Sequence, residues 1–308
     1  MDCLYSASAN GKFLLTGEYL VLRGAKALAL PLRYGQQMVV SLLDGNGNIL
    51  KWSARKLDEN WFSVVLNRDT LEIISTDDVA KGEKLSQILS AVKALNPQAF
   101  SLGDLSICTH LEFNPEWGLG SSSTLIANLA NWAKIDPYEL LRMTFGGSGY
   151  DIACASASHP ILYSLSAGLP QVTTACFLPS FRDRLFFVYQ GKKQSSAKEI
   201  AVFKERMQTM RFEKEIEQVS EISESMLSTD SFSDFCALLS EHERIISYCI
   251  GREPVQTHFA GFEGTIKSLG AWGGDFFLAA SPMSDYELRR YFAEKGLTTV
   301  IRYDDIVL

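Results

Sequence analysis

The feature that most constrains the fold is a glycine- and serine-rich stretch that leads directly into a helical pattern. Residues 115–132 read PEWGLGSSSTLIANLANW. The first N–H groups of a helix lack partners and the helix dipole adds positive potential, so a loop at this place suits an anion. Glycines allow close approach, and serine hydroxyls can bind a hard cation such as Mg²⁺. The stretch predicts either a site for a nucleotide triphosphate tail or an ordinary turn with a serine N-cap.

Two common catalytic motifs are excluded by their residues. A Walker A loop requires Ser or Thr after Gly-Lys, but residues 11–13 read Gly-Lys-Phe and residues 191–193 read Gly-Lys-Lys. The nucleophile elbow G-x-S-x-G is nearly met around Ser148, but Tyr150 stands in place of its last glycine. The chain therefore carries neither an ordinary P-loop nor a serine hydrolase elbow.

Charge and cysteine content exclude several classes of partner. The 29 Lys and Arg residues against 36 Asp and Glu give a net charge of -7, and no basic stripe could neutralise a run of phosphates, so nucleic acid is not an expected partner. The six cysteines show no C-x-x-C spacing, which argues against a zinc site or a disulfide framework. Without a long apolar run or a basic leader, we expect a cytoplasmic protein with no membrane segment.

Hydrophobic periodicity predicts a sheet followed by helices. The first third of the chain alternates short β-type runs with Gly, Asn, Asp and Arg clusters, as in an antiparallel sheet. Among these runs, KALALPL at 26–32 and QQMVVSLL at 36–43 are predicted as separate strands with a turn at residues 33–35. Apolar residues between positions 84 and 95 recur at helical spacing, and residues 101–113 return to strand character. Asp136 and Pro137 are suited to begin a helix as its N-cap and first residue.

The character of the sequence changes after about residue 168. Residues 184–191 predict a strand, the charge-rich segment from 197 to about 248 predicts helices, and residues 275–303 predict a strand, a helix and a strand. This order is typical of an α+β architecture. With 308 residues the chain is long enough for two domains, which we expect at residues 1–168 and 169–308.

Three separated motifs together resemble those of the GHMP small-molecule kinases, the superfamily of galactokinase, homoserine kinase, mevalonate kinase and phosphomevalonate kinase. They are ANGKFLLTGEYLVLRGAKALALPL at 9–32, PEWGLGSSS at 115–123 and KSLGAWGGDFFLAAS at 267–281. Their order and spacing fit the superfamily over nearly the whole chain. The resemblance implies a two-domain GHMP kinase fold of the α+β class. Its N-terminal domain is a mixed α/β nucleotide-binding domain and its C-terminal domain a ferredoxin-like α+β domain.

Local details resemble the mevalonate branch. Residues 147–156, GSGYDIACAS, are similar to a segment of phosphomevalonate kinases, and GAWGGD at 270–275 is similar to their G-A-G-G-G-D. The string GYDIA also matches a bacterial subgroup named for it, whose members often carry the mevalonate kinase name. Three departures are visible. Asn10 replaces the usual Pro, Pro115 lies one residue closer to Gly-Leu-Gly, and Trp272 replaces a glycine, where its bulk is expected to narrow or close the space near the phosphates.

The resemblance assigns two catalytic residues. Lys12 aligns with the lysine of the first motif, whose charge favours the ionised acceptor and offsets charge during transfer. Asp151 aligns with the acidic residue proposed as base for the acceptor hydroxyl, at a helix start that would keep it ionised. The alternatives are a solvated lysine at a strand start and a simple helix carboxylate. Glu18 either approaches this site or forms a structural ion pair.

The resemblance also implies ATP and Mg²⁺ as cofactors. The second motif would contact the phosphates and the metal, and the glycines of the third motif would steady the nucleotide. The nucleotide-binding residues are Gly118, Leu119, Gly120, Ser121, Ser122, Ser123, Gly270, Gly273 and Gly274. Ser122 and Glu139 are the Mg²⁺ candidates, although Glu139 falls one residue out of the family spacing and equally fits an exposed helix position. Asp275 is expected to cap its own turn.

A cluster of cations is expected to meet the acceptor. Residues 189–200, YQGKKQSSAKEI, place Lys192, Lys193 and Ser195 between a strand and a helix, in the region where related enzymes touch the acceptor. Clustered cations suit a carboxylate or a phosphate. Lysines in exposed loops are equally common without any ligand.

The expected function is ATP-dependent phosphoryl transfer to a small anionic metabolite, mevalonate or phosphomevalonate, in isoprenoid precursor synthesis. Transfer would be direct and in line, with the acceptor between Lys12, Asp151 and the lysines of 192–193. Two alternatives stay open: a lyase of the mevalonate diphosphate decarboxylase type, and a catalytically silent ligand sensor with the same fold. The expected partner is a small-molecule substrate, and a homodimer is the oligomer to test.

Overall fold

The structure, a computed structural model, describes residues 2–45, 47–194 and 196–308. The chain divides into two compact units. Unit 1 comprises Met1–Gly11, Tyr34–Pro115 and Leu119–Ser156, and unit 2 comprises Lys12–Arg33, Glu116–Gly118 and Ala157–Leu308. Each unit therefore takes segments from distant parts of the chain. A domain boundary at residue 168 stays a prediction.

Mixed strand pairing characterises the sheet of unit 1. Its strands belong to β1 (Asp2–Leu14), β2 (Ala27–Leu42), β3 (Ile49–Lys56), β4 (Glu59–Asn67), β5 (Ile73–Thr76) and β6 (Leu105–Leu111). The order is β5-β4-β3-β6-β2, and β1 also pairs with β2. The pairing is parallel between β3 and β6, where Trp52 lies opposite Ile107, and antiparallel between β2 and β6, where Val40 lies opposite Ile107.

Strand β2 differs from the sequence expectation, which separated two runs at a turn near residue 34. The strand continues through this point for 16 residues. The reason is Gly35, where an added Cβ would lie 2.2 Å from the carbonyl oxygen of Ala9. The glycine therefore allows β1 to approach closely, and does not mark a turn.

Four helices of unit 1 lie between and after these strands: α1 (Val79–Leu95), α2 (Ser121–Ala133), α3 (Pro137–Thr144) and α4 (Tyr150–Ala155). Asp78 caps α1 by accepting the N–H of Lys81, and Asp136 caps α3 by accepting the N–H of Tyr138. The apolar faces of the helices meet the sheet in one core, which includes Met38, Trp52, Leu89, Leu129 and Ile152.

A hairpin begins the long C-terminal part of unit 2. Strands β7 (Ile161–Ser166) and β8 (Leu169–Thr174) are joined by Ala167 and Gly168, both in the left-handed region that a two-residue hairpin turn requires. β7 also pairs with residues 27–29 of β2. The sequence pattern missed β8 because nearly all of its residues are exposed, so it shows no alternation of apolar and polar residues.

The rest of unit 2 is an α+β fold. It contains β9 (Leu185–Tyr189), α5 (Ser196–Arg206), α6 (Glu213–Ser228), α7 (Phe232–Ile250), β10 (Thr265–Ser268), β11 (Phe276–Ala280), α8 (Asp285–Ala293), β12 (Val300–Arg302) and α9 (Tyr303–Ile306). The sheet order is β10-β11-β9-β12, with every neighbouring pair antiparallel. Strand order and inserted helices are those of a ferredoxin-like fold, which confirms the expectation. Within the described part of the chain, no helix is long and apolar enough to cross a membrane.

Candidate active site

The glycine- and serine-rich loop has the backbone form of an anion-binding loop. A 3₁₀ turn at Pro115–Trp117 leads to Gly118 (φ 69°) and Gly120 (φ 99°), and α2 begins at the next residue. Side chains rarely adopt such left-handed φ values, so both positions favour glycine. Leu119 between them is fully buried and anchors the loop. We call residues 118–123 the phosphate loop.

The first motif also approaches this loop through a glycine. At Gly11, an added Cβ would lie 2.8 Å from the carbonyl oxygen of Tyr34 and 3.0 Å from that of Leu119. Both distances are shorter than ordinary van der Waals contact, so only glycine lets the end of β1 pass here.

The three serines of the phosphate loop differ in exposure. Ser123 is buried, and its hydroxyl donates to the carbonyl of Gly120 at 2.8 Å, which leaves its backbone N–H as the group that can meet an anion. Ser121 is half-buried and Ser122 is exposed. The backbone N–H groups of all three serines lie in the first turn of α2, where no carbonyl four residues earlier belongs to the helix and can accept them. Ser122 therefore offers both a hydroxyl and an N–H to a ligand.

Asp151 lies in the first turn of α4. The helix begins after Gly149, whose φ is 87°, and the Oδ1 atom of Asp151 accepts the N–H of Ile152 at 3.1 Å. Ala155, one turn later, packs with Ala9 of β1 and Ala127 of α2. Small side chains at this contact let the helix carrying Asp151 approach β1 and α2 closely.

Glu139 is engaged with its own helix. Both of its carboxylate oxygens accept N–H groups of Arg142, one turn along α3. These hydrogen bonds hold the pKa of Glu139 below its ordinary value. A metal ligand at this position would have to give up that contact, so the assignment of Glu139 to Mg²⁺ stays a prediction with little support.

Lys12 contacts the phosphate loop directly. Its Nζ atom donates to the carbonyl oxygen of Gly118 at 2.9 Å. The hydrogen bond holds a positive charge beside the backbone that is expected to meet phosphate. The position is consistent with the role that the resemblance implies.

Asp275 packs against the same glycine, a contact that sequence analysis missed. An added Cβ on Gly118 would lie 2.5 Å from the carboxyl carbon of Asp275. Burial raises the pKa of Asp275, while the N–H of Gln194 and the charges of Lys12 and Lys193 oppose that rise. The carboxylate does not cap only its own turn, because it accepts the N–H of Gln194 at 3.1 Å.

The third motif and the lysine-bearing loop are bound together along their backbones. We call residues 190–194 the lysine loop. The backbone N–H of Gln190 donates to the carbonyl oxygen of Asp275 at 2.8 Å. The backbone N–H of Asp275 donates to the carbonyl oxygen of Lys192, also at 2.8 Å. At Gly274, an added Cβ would meet Gln194 at 2.9 Å, so glycine allows this close packing.

The lysines of this loop are exposed. Lys193 forms an ion pair with Glu116 at 3.8 Å, and both side chains are substantially exposed, so solvent screens the pair. Lys192 is exposed as well. Ser195 lies outside the described residues. Contact of Lys192 or Lys193 with an anionic acceptor stays a prediction.

Trp272 does not project into open space. Only 2% of its surface is exposed, and its φ is 51° at a position where the related motif has glycine. The side chain is therefore almost completely buried. That Trp272 narrows or closes the space near the phosphates stays a prediction.

Glu18 forms a structural ion pair. Its Oε1 atom lies 2.5 Å from Nζ of Lys267, and both side chains are almost fully buried. Burial raises the pKa of Glu18 to about 7 against the attraction of Lys267. Although His242 Nε2 lies 3.4 Å from Glu18 Oε2, it accepts the N–H of Gly17, and burial lowers the pKa of this histidine. His242 is therefore neutral and is not a second ion-pair partner.

The fold is similar to that of several solved small-molecule kinases. Mevalonate kinase of Methanococcus jannaschii matches with a TM-score of 0.69 at 14% identity, over 97% of this chain and 98% of that one. Phosphomevalonate kinase of Streptococcus pneumoniae, solved with phosphomevalonate and AMPPNP, matches with a TM-score of 0.70 at 15% identity, over 97% and 100%. Galactokinase of Lactococcus lactis, complexed with galactose, matches with a TM-score of 0.62 at 11% identity, over 98% and 95%.

No protein-family model matches the sequence, and no curated protein matches it either. The likeness to the solved structures extends over nearly the full length of both chains. The protein therefore has the two-domain fold of the GHMP kinases, and that expectation is confirmed. At identities of 11% to 16%, the likeness shows the fold and leaves the substrate open.

Proposed function

We propose that this protein is an ATP-dependent kinase that transfers a phosphoryl group to a small anionic metabolite. The phosphate loop is the observation that carries the proposal. Two left-handed glycines lead into the start of α2, and Lys12 donates to the carbonyl of Gly118. Glycines without side chains let a phosphate come close to the unpaired N–H groups at the N-terminus of a helix, so this arrangement suits nucleotide phosphates. The solved kinases of the same fold support the same class of reaction, and one of them was solved with AMPPNP.

The residues of the loop fit a nucleotide together with its metal. The N–H groups of Ser121 and Ser122 and the exposed hydroxyl of Ser122 would hold the phosphates. Among the described residues, no group of three or more His, Cys, Asp or Glu is arranged to hold a metal ion. Mg²⁺ would therefore bind with the phosphates, with Ser122 as its protein ligand, and would offset their negative charge.

Two residues take the chemical roles. The carboxylate of Asp151 accepts or orients the proton of an acceptor hydroxyl, and the ammonium group of Lys12 offsets charge on the transferred phosphoryl group. No covalent enzyme intermediate is required, since positioning and electrostatics supply most of the catalysis in such transfers. A phosphate acceptor needs little help from a base, whereas an alcohol needs more.

We propose mevalonate or phosphomevalonate as the acceptor, in isoprenoid precursor synthesis. The proposal rests on the GSGYDIA and GAWGGD strings and on the exposed cations Lys192 and Lys193. Both acceptors carry a carboxylate that a cation could bind, and phosphomevalonate adds a phosphate. Structures of both kinases have the fold of this chain.

One observation favours the silent sensor as a second candidate. The buried carboxyl of Asp275 already lies against Gly118, and an ionised carboxylate at this place repels nucleotide phosphates unless Lys12 or a metal offsets it. The lyase of the decarboxylase type remains as an outcome of the assay below.

The test is ADP release by purified protein with Mg²⁺ and ATP. Mevalonate, phosphomevalonate, mevalonate diphosphate, galactose, homoserine and no acceptor are compared in parallel. We expect acceptor-dependent ADP release with one of the first two. ADP release accompanied by carbon dioxide from mevalonate diphosphate would support the lyase. Binding of AMPPNP without turnover on any acceptor would support the sensor.

A further inference from the structure

Two consecutive carbonyl groups of the third motif are each held by a distant side chain. The hydroxyl of Tyr19 donates to the carbonyl of Ala271 at 2.9 Å, and Nη1 of Arg252 donates to the carbonyl of Trp272 at 3.1 Å. Between and after them, Trp272 (φ 51°) and Asp275 (φ 53°) adopt left-handed conformations that are unfavourable for residues with side chains. Such conformations persist only where the surroundings impose them. The two hydrogen bonds are therefore restraints on a strained loop.

Arg252 has a second contact that leads to the lysine loop. Its Nη2 atom lies 2.5 Å from Oε2 of Glu199, a side chain that is only 11% exposed. The other carboxylate oxygen of Glu199 accepts Nε2 of Gln194 at 2.5 Å. Glu199 thus uses both of its oxygens, one for the arginine and one for the loop.

The path ends at the phosphate loop. The backbone N–H of Gln194 donates to Oδ1 of Asp275, whose carboxyl group packs on Gly118. Gly118 in turn accepts the hydrogen bond from Lys12. A displacement of Gln194 would therefore free the Asp275 carboxylate beside the backbone that is expected to meet phosphate.

We propose that Arg252 and Glu199 are positioning residues for the nucleotide site. Through Gln194 they fix the lysine loop against the third motif, and so fix the Asp275 carboxylate beside Gly118. Their described hydrogen bonds lead to the third motif and to the lysine loop. The effect on nucleotide affinity rests on the proposed function, whereas the effect on loop order does not.

The test compares Arg252→Gln and Glu199→Gln with the control Arg244→Gln. Arg244 pairs with Glu241 on the exposed surface of α7, so its loss removes an ion pair of the same kind away from the loops. The first measurement is amide hydrogen exchange in residues 190–194 and 270–275 of the ligand-free protein. The second is the dissociation constant for AMPPNP with Mg²⁺, and thermal unfolding checks that each variant is folded.

We expect exchange in both segments to accelerate by about tenfold in the two test variants, as for the loss of one charge-assisted hydrogen bond, and to be unchanged in Arg244→Gln. The dissociation constant for AMPPNP should rise by about tenfold in the same two variants. The Asp275 carboxylate that loses the N–H of Gln194 keeps its negative charge beside Gly118 with one donor fewer to offset it, so it repels the phosphates more strongly. Since both act on one path, the double variant should be little worse than either single one. Arg252→Lys keeps the charge opposite Glu199 and should restore part of the affinity.

Unchanged exchange in residues 190–194 of folded Arg252→Gln would overturn the proposal. Should either variant fail to fold, Gln194→Ala removes only the link to Glu199 and must show the same acceleration. Faster exchange with unchanged affinity for AMPPNP would also overturn the positioning role, since the network would then be merely structural. Absence of AMPPNP binding in the unaltered protein would instead refute the proposed function, while the exchange result still decides whether the network orders the loops.

Discussion

At the scale of single residues, Glu18 lies in an unfavourable place for a charge. It is buried beside Lys267, and the raised pKa of about 7 compares with an ordinary value of 4.5. A folded-state pKa above the unfolded value means that the contribution to stability is complete below about pH 4.5. It is lost as the pH rises through about 7. Each pKa unit corresponds to about 1.4 kcal/mol, so the contribution is of the order of 3 kcal/mol.

We therefore predict that Glu18→Gln changes the pH dependence of stability. Relative to this variant, the unaltered protein should lose about 3 kcal/mol of unfolding free energy between pH 5 and pH 8. Neutral His242, whose pKa is lowered, and Glu243, whose pKa burial raises, are present in both proteins. The difference between the two pH profiles therefore reports on Glu18 together with Lys267, which loses its partner in the variant. Urea unfolding at the two pH values measures the effect. Parallel pH profiles for the two proteins would show that Glu18 stays ionised throughout.

Trp272 allows a second test at the same scale. The side chain is 2% exposed, and removal of a buried tryptophan typically lowers the free energy of unfolding by about 3 to 5 kcal/mol. Glycine relieves the strain of the left-handed φ at this position, which offsets about 1 kcal/mol of that loss. We predict that Trp272→Gly lowers the unfolding free energy by about 3 kcal/mol without strengthening AMPPNP binding. Tighter AMPPNP binding at unchanged stability would instead mean that the side chain obstructs the phosphates.

At the scale of structural elements, the phosphate loop depends on one glycine more than on the others. A side chain at Gly118 is unfavourable for two reasons. The φ angle is left-handed, and an added methyl group would collide with the carboxyl group of Asp275, which is held by Gln194. Gly296 has a similar φ of 79°, but an added Cβ there meets no described atom within 4 Å. An alanine at Gly296 therefore causes backbone strain alone, whereas an alanine at Gly118 causes backbone strain and a collision.

We predict that Gly118→Ala weakens AMPPNP binding by more than about tenfold, because the loop must move to relieve the collision. Gly296→Ala should carry a comparable backbone strain of about 1 kcal/mol while leaving the affinity unchanged. Titration calorimetry of both variants provides the comparison. Equal affinities in the two variants would indicate that the loop backbone does not contact nucleotide.

The elements that sequence analysis identified are those with strong local signals. α3 was predicted from its aspartate cap Asp136, and that cap is present in the structure. α1 was predicted from the helical spacing of apolar residues between 84 and 95, and the structure begins it earlier, at Val79. β2 was divided wrongly, because Gly35 serves contact with a neighbouring strand and has no local signature that distinguishes it from a turn glycine. β8 was missed because exposure removes its periodicity. Local patterns predict an element where its own residues decide the conformation, and fail where a neighbour decides it.

The same limit applies to the candidate site. Lys12 and Asp151 were assigned catalytic roles because they stand in recognisable strings, and these roles stay predictions. The network of Arg252, Glu199 and Gln194 connects residues that are 53 and 5 positions apart, and no string marks any of them as partners. Contacts of this kind come from tertiary packing, which a single sequence does not encode in a readable pattern.

At the scale of the whole molecule, the discontinuous composition of unit 2 has a measurable consequence. Residues 12–33 supply Glu18 to buried Lys267 and the segment of β2 that pairs with β7. We predict that a fragment of residues 157–308 does not fold alone, because it would bury an unpaired lysine and leave β7 without that partner. Circular dichroism and amide NMR dispersion measure this. A cooperative, well-dispersed fragment would show that the long C-terminal segment is autonomous.

The most direct test of the kinase assignment follows phosphorus rather than ADP. Phosphorus NMR of Mg²⁺ and ATP with mevalonate or phosphomevalonate distinguishes a phosphate ester from a diphosphate. We predict a new acceptor-bound phosphorus signal that grows in step with ADP. In Asp151→Asn it should form about a hundredfold or more slowly with an alcohol acceptor, while AMPPNP binding is retained. If protein that binds AMPPNP gives no acceptor-bound phosphorus signal with either acceptor, phosphoryl transfer to these metabolites is contradicted. If Asp151→Asn forms the signal at an undiminished rate, the role of Asp151 is contradicted.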